Sequence, residues 1–216
     1  MPNWTVQFSA GSFIKGAFAG AMLLACNLGS CAFAQNPRVL LETSKGDIEV
    51  ELFEKEAPVT VANFLSYVKK GHYDGTIFHR VIADFVVQGG GLTEDMKEKP
   101  TADPIENEGG NGLKNERMTL SMARTPAPHS ATSQFYINLK YNRPLDRKYS
   151  QDNYGYCVFG KVVKGEEVVD QIAKVKTGRV KGSGDVPLEP ITLKRAMILE
   201  GAAAAAAGSP GDKKDK

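Results

Sequence analysis

Phe78-His79-Arg80-Val81-Ile82-Ala83-Asp84-Phe85-Val86-Val87-Gln88-Gly89-Gly90 is the stretch from which the fold reads. Phe, Val and Ile crowd it on either side of Ala83-Asp84, which predicts two short β-runs joined by a turn. Each run carries one polar side chain in an otherwise apolar surface, Arg80 in the first and Gln88 in the second. An arginine in that setting must be hydrogen-bonded or face a wet groove, because a buried, unpaired charge costs too much. Gly89-Gly90-Gly91 then allows tight turning and close backbone approach. One cation, one amide and the aromatic Phe85, set on a stiff sheet, suit a groove that grips an extended peptide.

Upstream, Val39 to Thr43, the turn residues Ser44-Lys45-Gly46-Asp47 and the alternating Ile48, Val50 and Leu52 predict a β-hairpin over 38–53. Glu49 and Glu51, on the opposite parity, are expected to be solvated. Pro58 to Lys70 predicts a helix with Val61, Phe64, Leu65 and Val68 as its inner stripe and Gly71 as its stop. Downstream comes a long polar loop, 92–114, in which Ile105 to Glu108 reads as a short pinned segment. Its acids lack the spacing of a calcium loop and are expected to be solvated. Strands are predicted over 118–123, 133–138, 156–163 and 191–199, and a second helix over 166–175 with Val168, Val169 and Ile172 inside. Many short strands and two helices predict a mostly antiparallel barrel or sandwich.

The 216 residues, 42% of them hydrophobic with a net charge of +2, suit one globular domain with ends attached. That near-zero charge argues against a nucleic-acid surface, which needs a clustered basic face. No apolar run reaches the roughly 18 to 20 residues of a spanning helix. The first 34 residues read as a targeting segment. They hold Lys15 as their sole charge, an apolar small-residue run from Gly16 to Leu28, and Ala32-Phe33-Ala34 as a cleavage pattern with the cut after Ala34. The expectation is a periplasmic protein. Leu28-Gly29-Ser30-Cys31 resembles a lipobox, and the alternative is a lipoprotein anchored through Cys31. The domain is then 35–200, and 201–216, with its six alanines, reads as a disordered tail. Cys157 alone stays in the mature chain and is expected to be a small buried hydrophobe.

The three histidines, His72, His79 and His129, have no metal-ligand partner at helical or hairpin spacing, so no metal is expected. A triad assembled from Ser121 or Ser133, His79 and Asp84 has no nucleophile-elbow pattern behind it. There is no phosphate-cradling or dinucleotide fingerprint, and no cofactor is expected. A groove of unreactive groups still does one kind of chemistry well, rotation about a bond. The X-Pro bond faces a resonance barrier of about 18–20 kcal/mol. Lowering it needs a pocket for the prolyl ring and a donor near the prolyl nitrogen, whose lone pair localises as the amide twists.

Five segments now fall into one pattern: Phe78 to Ile82, Phe85 to Gly90, Leu120 to Arg124, Ser133 to Ile137 and Val158 to Val162. In this order they resemble the cyclophilin family of peptidyl-prolyl cis-trans isomerases, most of all its exported bacterial members, over about residues 38–199. The resemblance implies a closed eight-stranded antiparallel barrel with two capping helices. It implies Arg80 as the catalytic guanidinium. Phe85, Met122, Tyr136 and Leu145 match the proline pocket, with Val86 at its edge. Gln88 and Gln134 match groups that hold the peptide or orient Arg80. Ala123 and Arg124 match the strand that pairs with the bound peptide, and Tyr156 matches a rim position.

Three residues depart from the family pattern. Tyr136 stands where many members have Phe, which adds a hydroxyl to the pocket wall. Arg124 stands where eukaryotic members have Asn. Pro144 stands where many eukaryotic members have Trp, so cyclosporin is expected to bind weakly. The expected partners are proline-containing unfolded or extended polypeptides, with the chain acting as a monomer on exported proteins. The alternative is a proline-peptide-binding chaperone module with little or no isomerase activity.

Overall fold

The computed structural model describes residues 36–199. The expected targeting segment, its cut after Ala34, Cys31 and the alanine tail lie outside the described residues.

The chain forms β1 (Arg38–Thr43), β2 (Gly46–Leu52), α1 (Pro58–Lys69), β3 (Thr76–Ile77), β4 (Arg80–Ile82), β5 (Val86–Gly89), β6 (Thr119–Met122), β7 (Phe135–Asn138), a 3-10 turn (Arg143–Leu145), β8 (Val158–Lys164), α2 (Glu166–Ala173), β9 (Thr177–Val180), β10 (Ser183–Pro187) and β11 (Thr192–Leu199). The ladder order is β3-β11-β1-β2-β8-β6-β7-β5-β4, a nine-stranded antiparallel sheet, with β9 and β10 as a separate two-stranded ribbon. The hairpin, both helices and the later strands of the main sheet fall where alternation and periodicity predict them. The β9–β10 ribbon does not announce itself: its strands, Thr-Gly-Arg-Val and Ser-Gly-Asp-Val-Pro, lack the apolar alternation of a strand packed on a core.

The closed eight-stranded barrel expected from the resemblance is corrected to an open, strongly curled sheet. Its two edge strands, β3 and β4, are separated in sequence only by Phe78 and His79, and no ladder joins them among the described residues. A flat sheet of this order would hold its edges about 38 Å apart, at roughly 4.8 Å per strand. The link from Ile77 to Arg80 reaches at most about 11 Å, at about 3.8 Å per Cα step. The sheet must therefore curl until its edges nearly meet, and the chain crosses the seam in place of a hydrogen-bonded ladder.

Inside the curl lies one core. Val81, Val87, Ile137 and Leu120 are cross-strand partners in a single row, and all are buried. Phe64, Tyr73, Phe135 and Phe159 pack as an aromatic cluster beside it, with centroids 5.0–5.5 Å from the Phe64 ring. From α1 come Val61, Phe64, Tyr67 and Val68; Leu65, expected inside, is only half-buried, and Tyr67 takes its place. From α2 come Val168, Val169 and Ile172, as the periodicity predicts.

Two acids expected to be solvated are structural. Glu49 is 7% exposed and bridges Lys164 (2.6 Å) and Arg38 (2.9 Å) across three strands. The Lys164 hydrogen bond, with Arg38 behind it, lowers its carboxyl pKa against the cost of burial. Glu108 caps α1 from a distance. The local cap residue, Ala57, has no side-chain acceptor. Glu108 accepts from the N–H groups of Val59 (3.1 Å) and Thr60 (2.8 Å) and from the Thr60 hydroxyl (2.6 Å). A carboxylate there meets both the orphan donors and the positive end of the helix dipole. The long loop is thereby pinned, as expected for the Ile105–Glu108 segment.

Glu108→Ala should therefore lower the unfolding free energy by about 2 kcal/mol, the size of a charged helix cap. A shift of the urea midpoint with an unchanged slope checks this; an unshifted midpoint contradicts it.

Candidate active site

Directly opposed residues of antiparallel strands share one face of the sheet. Arg80 opposes Gln88, Gln88 opposes Tyr136, and Tyr136 opposes Ser121. One row across β4, β5, β7 and β6 thus carries a cation, an amide, an aromatic and a hydroxyl on the face away from the core row. The parity that buries Val81 and Val87 is what turns Arg80 and Gln88 outward.

A cavity of about 110 Å³ lies on this row, lined by Arg80, Phe85, Val86, Gln88, Ala123, Arg124, Tyr136, Leu145 and Tyr156. That is three to four times the roughly 30 Å³ a water molecule occupies in the liquid, a space suited to a five-membered ring. Nine of the eleven residues assigned from the sequence come together here. Gln134 sits next door: it accepts a hydrogen bond from Gln88 (3.0 Å) and lines an adjoining cavity of about 280 Å³ that shares Gln88, Ala123 and Arg124 with the first. Gly91 leaves room there for Gln134, whose side chain any Cβ at position 91 would push aside. Met122 is the exception. Its β6 parity matches Leu120, so it points into the core, 2% exposed, beside Phe135. Its assignment to the pocket wall is corrected accordingly.

Among the described residues, the Arg80 guanidinium makes no hydrogen bond or ion pair with the protein, and none of its nitrogens is among the buried atoms left without a partner. It is half-buried and turns its donors to the groove. Phe85 is held by its backbone: its carbonyl accepts from Leu139 N–H (2.9 Å) and from Asn142 Nδ2 (2.9 Å), just after Asp84 turns at φ 56°.

The Tyr136 hydroxyl does not enter the pocket. It donates inward to Asn115 Oδ1 (3.0 Å), which also accepts from the Ser121 hydroxyl (2.8 Å) and Asn138 Nδ2 (3.3 Å). Asn115 in turn donates from its backbone N–H (2.7 Å) and Nδ2 (2.9 Å) to Asp146 Oδ1. Burial keeps the Tyr136 pKa well above 10, so it stays a neutral donor. Sequence reasoning missed Asn115 and Asp146; their partners lie up to 31 residues away, beyond any local pattern.

The remaining candidate chemistry does not assemble. Ser121 spends its hydroxyl on Asn115, Asp84 is exposed at a turn, and no hydrogen bond joins either to His79. Burial pushes the Cys157 thiol up to about 12, so it is inert at neutral pH, as its apolar setting suggests.

The family described as cyclophilin type peptidyl-prolyl cis-trans isomerase/CLD matches residues 38–198. The chain belongs to the cyclophilin family. It is 56% identical over 162 residues to peptidyl-prolyl cis-trans isomerase cyp18 of Streptomyces antibioticus, covering 74% of this chain and 98% of that protein. It is 50% identical over 163 residues to peptidyl-prolyl cis-trans isomerase B of Escherichia coli, covering 75% of this chain and 99% of that one. A cyclophilin type isomerase of Cryptosporidium parvum, crystallised in the presence of the dipeptide Ala-Pro, superposes with a TM-score of 0.62 at 28% identity, over 76% of this chain and 99% of that chain. As a cyclophilin, the chain is a peptidyl-prolyl cis-trans isomerase.

Next to Arg80, burial, with help from the Arg80 charge, pushes the His79 imidazole down to about 4 from an ordinary value near 6.5, and its Nδ1 is buried without a partner. The folded protein thus refuses a proton that the unfolded chain accepts. Stability should be unaffected by this group above pH 6.5 and should fall as the pH drops from about 6.5 to about 4, by at most about 3 kcal/mol at 1.36 kcal/mol per unit. Denaturant titrations of the wild type and His79→Gln check it: the variant should lose part of that slope, and identical slopes would contradict the assignment.

Proposed function

We propose that this cyclophilin is exported and accelerates X-Pro rotation during the folding of exported proteins, with Arg80 stabilising the twisted amide. The observation that carries the mechanism is a guanidinium whose donors are uncommitted among the described residues, on the rim of a ring-sized cavity. In the planar amide the prolyl nitrogen lone pair is delocalised and accepts poorly. As the bond twists, resonance is lost and the lone pair localises on nitrogen. A donor fixed beside it then binds the transition state more tightly than either ground state, which is the condition for acceleration. No nucleophile, base or electron carrier enters this step.

The rest of the groove supports an extended polypeptide as substrate. Phe85, Tyr136 and Leu145 offer apolar walls to the prolyl ring. The Ala123 N–H is taken by the Gln134 carbonyl (3.0 Å), and no internal donor reaches the Ala123 carbonyl among the described residues, which leaves it for a peptide N–H. The Gln88–Gln134 pair and the adjoining cavity extend the surface along the chain to one side of the proline. The Ala-Pro dipeptide present with the Cryptosporidium parvum relative is a minimal version of such a substrate. Pro144 lies exposed in the 3-10 turn, offers no N–H, and supports weak cyclosporin binding.

Arg80→Ala should leave the fold intact and lower kcat/KM on a proline peptide by about 10²–10³, the size seen when one transition-state donor is lost. Arg80→Lys should recover only part, since an ammonium lacks the planar fork. A protease-coupled peptide assay measures both; equal rates for wild type and Arg80→Ala would remove the proposed role. Proline-peptide binding without any cis-trans exchange in the wild type would favour the chaperone reading instead.

Export rests on Lys15, the apolar run to Leu28 and Ala32-Phe33-Ala34. The mature protein, purified from the periplasm, should begin at Gln35 by intact mass. A start at a lipidated Cys31 would instead make it a membrane-anchored lipoprotein.

A further inference from the structure

Arg124 lines the same slot as Arg80, yet its environment is the opposite. Its side chain is only 4% exposed. Nε (3.1 Å) and Nη2 (2.9 Å) donate to the Gly155 carbonyl, Nη1 donates to the Thr125 carbonyl (3.1 Å), and Nη2 pairs with the Asp152 carboxylate. The guanidinium also lies 4.4 Å from the centroid of the Tyr156 ring, which packs edge-on against Tyr136 at 5.9 Å. The three partners other than Thr125, namely Gly155, Asp152 and Tyr156, belong to the loop after the 3-10 turn, and turn and loop together bring two slot residues, Leu145 and Tyr156, whose backbones are bonded to each other (Tyr156 N–H to Leu145 carbonyl, 2.9 Å).

We propose that Arg124 is a positioning residue: it latches the loop Asp146–Tyr156 onto the sheet and so sets the shape, and the affinity, of the proline slot. This rests on the isomerase reading of that slot. A side chain with this many internal bonds is not free to grip a peptide, so the contact that the eukaryotic Asn position suggests is replaced here by an internal clamp. Asp152 is built for the same task. Burial works against its charge, but the N–H groups of Tyr154 (3.0 Å) and Gly155 (3.1 Å) on Oδ1, together with Arg124 on Oδ2, hold its carboxyl well below the usual range. It is an anion at neutral pH, and it offsets one of the two cations in the slot. Latch and catalyst therefore separate: Arg124 shapes where the ring sits, Arg80 acts on the bond.

The test compares wild type, Arg124→Ala, Arg124→Lys, Asp152→Asn and Arg80→Ala in the full mature chain, each checked for its thermal midpoint. NMR titration with an Ala-Pro-containing tetrapeptide reads affinity, and exchange peaks at saturation read the cis-trans rate of the bound peptide. Arg124→Ala should weaken binding about tenfold or more while the bound rate falls less than about threefold; Arg80→Ala should show the reverse split. Arg124→Lys should recover less than half of the lost affinity on a logarithmic scale, because an ammonium cannot reach both Gly155 and Asp152 while stacking on Tyr156. Asp152→Asn keeps an oxygen for the Tyr154 and Gly155 N–H groups but removes the charge and sets an amide NH2 where Arg124 had an acceptor, so it should cost at least about threefold in affinity. Unchanged affinity in Arg124→Ala, full rescue by lysine, or loss of bound rate without loss of affinity each overturns the latch. Should Arg124→Ala fail to fold, wild-type affinity in both Arg124→Lys and Asp152→Asn overturns it equally. A wild type that exchanges the peptide beside an unaltered Arg124→Ala sinks the latch alone; a wild type that neither binds nor exchanges sinks the isomerase reading with it.

Discussion

Asn115 is fully buried and sits between two surfaces that must agree for the slot to exist. On one side it takes hydrogen bonds from Tyr136, Ser121 and Asn138, all on the curled sheet. On the other it gives two to Asp146, which is 6% exposed and begins the loop that carries Tyr156. A buried carboxylate is tolerable only with its acceptor sites filled, and here Asn115 and the Tyr141 hydroxyl (2.9 Å) fill them. The polar network is thus an obligation with one geometric solution. The Tyr136 ring is fixed against the slot because its hydroxyl is committed elsewhere, and Leu145 is fixed because Asp146 next to it is held.

This explains why a tyrosine suits a wall where a phenylalanine would also present a ring. The sequence alone suggests a polar atom added to the pocket. The structure instead spends that atom behind the wall, at Asn115, and leaves the ring face to the ligand. Such an exchange is invisible from spacing. Asn115 follows Lys114 and precedes Glu116 in an unpatterned stretch, and its acceptors and donors are gathered from β6, β7 and the turn after Arg143.

What is legible in the chain follows the same division. Period-2 alternation in Gly46–Leu52, the 3.6-residue stripe of Val61, Phe64 and Val68, and the apolar parity around Arg80 and Gln88 are local, and they give the strands, the helices and the outward face of the site. The motif names Met122, but only the β6 parity, fixed by Leu120, says which way it points. The structural parts of Glu49 and Glu108 are hidden from the sequence because their partners, Lys164 and Thr60, are distant in it. Sheet closure was also beyond local reading: eight strands or nine, shut or open, depends on whether Phe78-His79 joins a ladder or merely crosses the seam.

Two arginines in one slot show how much the protein's own hydrogen bonds decide a residue's part. A guanidinium whose donors already meet carbonyls, a carboxylate and an aromatic face has nothing left to offer a lone pair that appears only midway through a rotation. Its bonds are equally strong before, during and after the twist, and such uniform interactions do not change a rate. Arg124 is in that state. A guanidinium held in place by its strand, with no internal acceptor among the described residues, is in the contrary one: in the proposed mechanism its bond to the prolyl nitrogen is weak in the planar amide and strong in the twisted one. Position along β4 rigidifies Arg80 without consuming its donors, because the backbone ladder to Gln88 does the holding. On the proposed mechanism the slot works by unequal satisfaction: saturated at Arg124, Asn115 and Asp146 so that the walls stay put, and left unsatisfied at Arg80, where charge would develop.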